Sequence, residues 1–326
     1  MEEPRKQLEA VLDGGLAGER LDKALHRVFP RFSRTYLKGL IKRGKVRVGG
    51  RPVKPSYVVE EGDRVEVDLE EERRRARTSL ESLEIRVIHE DPWILVVDKP
   101  VGVAVHPNAA HGWGTLSQWA QWKYGPLPHP PGEPERPGVV HRLDKETSGV
   151  MVLARTEAAL AELKAQFRAR KTEKRYLAIV YGVPEFTSDY IDEPISRDPL
   201  HPERMKLVAS GGRESSTFYE VLEEYGRWAL VACMPKTGRT HQIRVHMAGV
   251  GHSLVGDKFY RCANAQRYPL PPEAPPLERQ ALHAQRLTFF HPAHGEAVTF
   301  EAPLPEDMKG LLAWLRERPE FRRIRS

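Results

Sequence analysis

The nine residues His141-Arg142-Leu143-Asp144-Lys145-Glu146-Thr147-Ser148-Gly149 set one carboxylate between two cations, directly ahead of the apolar run Val150-Met151-Val152-Leu153-Ala154. Arg142 and Lys145 would keep Asp144 ionised, which suits a structural ion pair and equally a carboxylate acting as nucleophile or base. On charge alone the ion pair is favoured. A second dense stretch runs Lys236-Thr237-Gly238-Arg239-Thr240-His241-Gln242-Ile243-Arg244-Val245-His246. It follows a strand-like run and reads as the opening of a helix, on which His241 and Arg244, three residues apart, can share a face. His241 and His246 lie about 500° apart around such a helix, a spacing that argues against a zinc pair. The bland reading of this basic turn is a patch that contacts phosphate. A third element, Arg175-Tyr176-Leu177-Ala178, opens a strand ending at Tyr181-Gly182, where a tyrosine is ordinarily a packing residue.

Taken together and in order, these segments resemble the signature blocks of the RluA/RluD family of RNA pseudouridine synthases. Agreement extends to Val97-Asp98-Lys99-Pro100-Val101-Gly102, Val105-His106-Pro107, Gly251-His252-Ser253-Leu254-Val255-Gly256-Asp257 with Tyr260, and Arg279-Gln280-Ala281-Leu282-His283-Ala284. The resemblance covers about residues 85 to 305. It implies that Asp144 is the catalytic carboxylate, that Tyr176 stacks on the target base, and that Arg244, with Arg239 second, orients the acid and keeps it charged. It further implies an RNA substrate, most similar to large-subunit (23S) ribosomal RNA with transfer RNA as the alternative, and no metal or organic cofactor. The target uridine must leave its stack to react. Arg142 is placed to fill the vacancy or grip the displaced strand and His141 to assist, with Arg239 and His241 as further RNA contacts.

Composition agrees with a polyanionic partner. The chain has 326 residues, 40% of them hydrophobic and 29% charged, and a formal charge of +6. Two cysteines, Cys233 and Cys262, cannot form a disulfide framework and are expected to be reduced and buried. The first residues lack the apolar core of a signal peptide, and no stretch approaches 18 apolar residues, so a soluble cytoplasmic protein, monomeric and away from membranes, is expected. There is no P-loop or dinucleotide fingerprint. A non-catalytic RNA-binding assembly factor is disfavoured by the intact trio of Asp144, Tyr176 and Arg244, and a hydrolase by the lack of an obvious activated water.

The elements that must position these residues fall into two domains. From Arg20 to Lys54 twelve basic residues face one acid, Asp22. Leu21, Leu25, Val28 and Phe29, then Tyr36, Leu37, Leu40 and Ile41, recur at helical spacing, with Ser33 as N-cap of the second helix. Lys45 to Val48, the Gly49-Gly50 turn and Val53 to Val67 read as short strands. This pattern resembles the small RNA-binding domain named after ribosomal small-subunit protein four, with Arg20, Arg31, Arg34, Lys38, Lys42, Arg43 and Lys45 as RNA contacts. The expected division is a basic α/β domain over 1–70, a charged linker over 71–82 and a catalytic domain over 83–326. The latter shows strand-like runs at Glu84 to Ile88, Trp93 to Val97, Val150 to Ala154, Arg175 to Tyr181, Trp228 to Cys233, Leu287 to Phe290 and Ala297 to Phe300. Helices are expected after Thr156, through Leu160, Leu163 and Phe167, and at the end, through Met308, Leu311, Leu312 and Leu315. Few helices among many hairpin-linked strands predict an α+β domain on a mixed, largely antiparallel sheet.

Overall fold

The computed structural model describes residues 7–30, 32, 34–69, 78, 80–107 and 113–318. Arg31, the Ser33 cap and most of the linker expected over 71–82 lie outside the described residues. The chain forms two compact units, one of 1–83 with 106–137 and one of 84–105 with 138–326.

In the first unit, strands β1 (Gln7–Val11), β2 (Val46–Val48), β3 (Arg51–Pro52) and β4 (Arg64–Asp68) form an antiparallel sheet in the order β1-β4-β2-β3. Helices α1 (Leu21–Val28) and α2 (Arg34–Lys42) bury Leu21, Leu25, Leu37, Leu40 and Ile41 against Val46, Val65 and Val67 of the sheet, so the apolar spacing sets which faces turn inward. Strand structure between Val53 and Val67 is limited to β4; Lys54-Pro55-Ser56-Tyr57 forms a turn instead, closed by Tyr57 N–H on the Lys54 carbonyl. Proline at 55 and the Gly62-Asp63 turn leave too short a run between them for a ladder. Helix α3 (Leu116–Tyr124), absent from the sequence expectation, opens on a Thr115–Gln118 capping box.

The second unit is built on a nine-stranded sheet of β5 (Arg86–Glu90), β6 (Ile94–Lys99), β7 (Ser148–Ala154), β8 (Glu173–Tyr181), β9 (Ser188–Ile191), β12 (Thr217–Glu224), β13 (Trp228–Pro235), β14 (Leu282–Phe290) and β15 (Ala297–Glu301). A separate hairpin pairs β10 (Ile195–Arg197) with β11 (Met205–Leu207). The main order is β5-β6-β7-β14-β8-β13-β12-β9, with β15 on β14, and every pairing is antiparallel except β7 with β14. Helix α4 (Glu157–Arg168) is capped by Thr156, whose hydroxyl accepts the Ala159 N–H at 3.2 Å. Helix α5 (Gln242–Gly249) follows β13, short α6 (Ala263–Arg267) follows it, and α7 (Glu306–Arg316) buries Met308, Leu311, Leu312 and Leu315 on one face of β8 and β13. On the opposite face Ala178, Val180, Val231 and Cys233 pack against Ile243 and Met247 of α5. Cys233 is buried as expected, whereas Cys262 is half-exposed because it caps the short α6 rather than lying in a strand.

The one parallel junction is where Asp144 enters the sheet. Gly149 pairs with Ala284 at φ +119°, and a Cβ there would lie 2.2 Å from the Ala284 carbonyl oxygen. Only a residue without a side chain lets the two backbones meet. Gly149→Ala should therefore cost about 3 kcal/mol, read as a shift of the urea unfolding midpoint, whereas Gly211→Ala, at φ +74° in open space, should cost about 1 kcal/mol. Equal losses would contradict this reading of the junction.

Candidate active site

Asp144 sits in the loop that leads into β7, and that loop is held from several sides. Lys99, fully buried at the end of β6, donates all three ammonium hydrogens to backbone carbonyls, those of Pro100 at 2.8 Å, Val103 at 2.9 Å and Lys145 at 3.0 Å. Arg279 donates to the Glu146 carbonyl at 3.1 Å and is itself clamped by Asp307 at 2.7 and 2.9 Å. Gln280 donates to the Thr147 hydroxyl, and Ser148 bonds His283 Nδ1 at 3.0 Å. Burial lowers the Lys99 pKa to about 7, a cost that Glu146 and Asp144 partly offset by their charge.

Arg244 reaches the acid from α5. Its Nη1 donates to Asp144 Oδ2 at 3.0 Å, while Nε and Nη2 form a bidentate pair with Asp257 at 2.7 and 2.9 Å. The Asp257 side chain is 0% exposed and also accepts the N–H groups of Phe259 and Tyr260. Burial opposes the guanidinium charge, but the bonds and charge of Asp257, then those of Asp144, outweigh it and push the Arg244 pKa above its ordinary value. Three hydrogen-bonding groups on a rigid plane thus fix where the Asp144 carboxylate stands. Among the described residues Oδ1 of Asp144 has no protein partner.

His241 completes the surround. It begins α5 at φ +56°, ψ +18°, a left-handed conformation that costs a residue with a Cβ about 1 kcal/mol or more. The side chain lies 3.8 Å from Asp144 by Nε2 and 2.8 Å from the Tyr260 hydroxyl by Nδ1. Tyr260 Oη also accepts the Met205 N–H at 2.8 Å, which ties His241 to the β10–β11 hairpin. His246 goes elsewhere, to Ser215, Thr217 and the Glu193 carbonyl, so the two histidines diverge as their spacing predicts.

Tyr176 stands on β8 beside the pocket, between Cys233 of β13 and Ala284 of β14. Burial, then the Asp144 charge, raises its pKa well above the usual phenol range. His141 stacks on Phe167 with ring centroids 4.5 Å apart, and its Nε2 accepts the Val152 N–H at 3.2 Å. Burial, then Lys174, lowers its pKa to about 3, so the ring is neutral in the folded protein. Arg239 donates from Nε to the Glu214 carbonyl, and its N–H meets Gln242 Oε1. Arg142 and Lys145 are exposed; Arg142 makes no ion pair with Asp144, the role that Arg244 fills. In the N-terminal unit, Arg20 and Arg34 both turn onto the buried Asp22, at 3.1 and 2.9 Å, and Lys45 lies 3.6 Å from Asp68. Lys38, Lys42 and Arg43 are exposed.

All of the catalytic-unit residues just named as candidates line one cavity of about 540 Å³. Among the described lining residues Asp144 is the only carboxylate, against eight lysines and arginines: Arg142, Lys164, Arg168, Arg170, Lys174, Lys236, Arg239 and Arg244. Sequence reading missed Lys164, Arg168, Arg170 and Lys174, although three cations in Arg168-Ala169-Arg170-Lys171 at the end of a helix carry the signal. It also gave Asp257 no role, because nothing local marks that carboxylate as the partner of Arg244.

Residues 93–249 match the family model described as RNA pseudouridylate synthase, and residues 19–65 match the S4 domain. An uncharacterized RNA pseudouridine synthase of Aquifex aeolicus is 41% identical over 95% of this chain and 99% of its own length. The chain belongs to the RNA pseudouridylate synthase family. A ribosomal large subunit pseudouridine synthase D of Pseudomonas aeruginosa is 39% identical over 93% of both chains. Among solved structures, human RNA pseudouridylate synthase domain containing 4 superposes with a TM-score of 0.58 at 28% identity, covering 75% of this chain and 98% of that one. This pseudouridylate synthase family member has the expected α+β architecture on a largely antiparallel sheet, with its RNA-binding domain at the amino-terminal end.

A neutral His141 has a consequence for stability. Its folded pKa lies below the unfolded value near 6.5, so its contribution is complete above pH 6.5 and is lost as pH falls toward 3. Between pH 6.5 and 5 the loss should be roughly 1 kcal/mol per pH unit. His141→Gln, which keeps an acceptor for Val152 and does not titrate, should flatten the pH dependence of the urea midpoint by that amount. An unchanged slope would mean that His141 is not the group taking up the proton.

Proposed function

We propose that this chain isomerises uridine to pseudouridine in large-subunit ribosomal RNA, with Asp144 as the catalytic carboxylate. The observation that carries the reading is the cavity in which one carboxylate stands among eight cations. Such a field draws in a polyanion and offers it a single ionised group. In the reaction the N1–C1′ bond of uridine breaks, the uracil turns, C5 bonds to C1′, and the C5 proton leaves while N1 gains one. No water or redox partner is consumed. Asp144 serves by attacking C1′, by removing the 2′ proton or by attacking the uracil ring, and the family resemblance is compatible with all three.

The surrounding residues divide the work. Arg244, held by Asp257, bonds Asp144 through Nη1 and aims it. Tyr176 is held protonated by burial and by Asp144, so its part is that of a neutral ring on which the detached uracil stacks. Arg142, exposed at the rim, grips the strand from which the uridine is withdrawn, at a cost of about a few kcal/mol for unstacking. His141 is tied to Val152 and Phe167, so its contribution is to hold the pocket wall beside Arg142. Lys38, Lys42 and Arg43 of the N-terminal unit, with Arg20, Arg34 and Lys45, add phosphate contacts that raise affinity for a large structured RNA without naming a site. The large-subunit substrate rests on the names of similar proteins such as that of Pseudomonas aeruginosa. We further propose a cytoplasmic monomer, in keeping with a ribosomal RNA partner; no helix among the described residues is long and apolar enough to cross a membrane.

Release of tritium from [5-³H]uridine-labelled 23S rRNA transcript, with the RNA chain left intact, tests the reaction, and a tRNA transcript tests the substrate. Wild-type protein should release label from the ribosomal transcript; retained label, or cut RNA, would sink the proposal. Asp144→Asn should bind the same transcript within about threefold of wild type and release label at least 1,000-fold more slowly, since the amide keeps the volume and loses the charge. Appreciable turnover by that variant would assign the chemistry to another group.

A further inference from the structure

Phe259 is an aromatic side chain left 38% exposed beside the most buried charges of the site. Its neighbours are not apolar. The ring centroid lies 5.3 Å from the Arg244 guanidinium, 5.7 Å from that of Arg204 and 5.9 Å from the His241 ring. Its backbone is anchored, because the Phe259 N–H donates at 2.8 Å to the same Asp257 carboxylate that holds Arg244. The next residue, Tyr260, covers Arg244 from a second side at 5.1 Å and is buried, so the guanidinium already has one aromatic shield without Phe259. Arg204, directly ahead of β11 in the β10–β11 hairpin, makes no hydrogen bond through its Nε among the described residues, and that Nε stands 3.6 Å from Oε1 of Glu203.

A fixed, part-exposed ring with two guanidiniums close by is an arrangement by which proteins hold single-stranded nucleic acid: the ring takes a base and the cations take phosphate. Its location sets which base. Arg244 spans from Phe259 to Asp144, so the ring lies one guanidinium away from the carboxylate that the reacting ribose must meet. We propose that Phe259 is the stacking platform for the nucleobase adjoining the reacting uridine, with Arg204 meeting the phosphate of that nucleotide. The uridine enters the Asp144 cavity while its neighbour is held outside on Phe259, which stabilises the strand in its opened form. The inference rests on the proposed pseudouridylation and fixes the substrate contact next to that site.

The test uses full-length protein and tritium release from labelled 23S rRNA transcript, followed by a synthetic hairpin around the uridine mapped as modified. Phe259→Leu keeps apolar cover on Arg244 and removes the ring; it should raise KM about tenfold and leave kcat within about twofold. Phe259→Trp should hold KM near wild type, and the emission of the added tryptophan should fall when RNA binds. An abasic nucleotide on one side of the target uridine should raise the wild-type KM by a similar factor and add nothing in Phe259→Leu. An unchanged KM, a loss confined to kcat, a tryptophan variant as defective as leucine, or additive abasic and leucine losses would each overturn the assignment. Failure of the pseudouridylation reading is seen separately, as wild-type protein that releases no label.

Discussion

One guanidinium shared between two carboxylates is the constraint on which the site depends. Asp257 takes Nε and Nη2 of Arg244 in a fully buried pair, and Asp144 takes Nη1 at 3.0 Å. A buried arginine with a single partner would gain little net stability, because desolvation offsets most of the attraction. Here the pair has a directional effect instead. Asp257 uses up one edge of the planar group and receives two backbone N–H bonds from its own loop, so the third N–H can point in only one direction. The acid that meets it is 18% exposed and presents its other oxygen to the cavity. Both Phe259 and Tyr260 pack on the guanidinium, which links the Asp257 loop, α5 and the β10–β11 hairpin through Met205 in one set of contacts.

The sheet brings these groups together across a long sequence separation. Asp144 and Arg244 are 100 residues apart, one entering β7 and the other following β13. Strands β14 and β8 lie between those two, and the parallel β7–β14 contact requires Gly149 at its positive φ. Lys99 and Arg279 hold the loop by its backbone carbonyls, so the path of the chain at Lys145 and Glu146 is set independently of which side chains stand there. The cations of α4 and the start of β8 then add a field of one sign without touching the acid.

Much of this was legible in the sequence where a local pattern carries the information. Leu160, Leu163 and Phe167 behind Thr156 gave α4, and the continuous apolar run from Val150 to Ala154 gave β7. His241 and Arg244 at three-residue spacing do meet the same acid. What escaped depends on pairing or on weak local signals. Strand β12 carries three glutamates and β9 is a short, mostly exposed edge, so neither has the apolar run that marks a strand. Helix α3 has little amphipathic contrast and is signalled only by its capping box. The basic count between Arg20 and Lys54 suggested twelve outward cations, yet Arg20 and Arg34 fold back onto the single acid, Asp22, which is itself buried. The bidentate partner of Arg244 lies thirteen residues beyond it with no periodicity to connect them.

The central claim is that Asp257 acts on the reaction only through Arg244 and thereby through Asp144. Single-turnover tritium release from bound 23S transcript by Arg244→Met, Asp257→Asn and the double variant tests it most directly. If the three groups form one chain, each single variant slows release and the double variant is no slower, within about threefold, than the slower single. Losses that multiply, so that the double variant falls by the product of the two singles, would show that Asp257 and Arg244 act independently and would contradict the account.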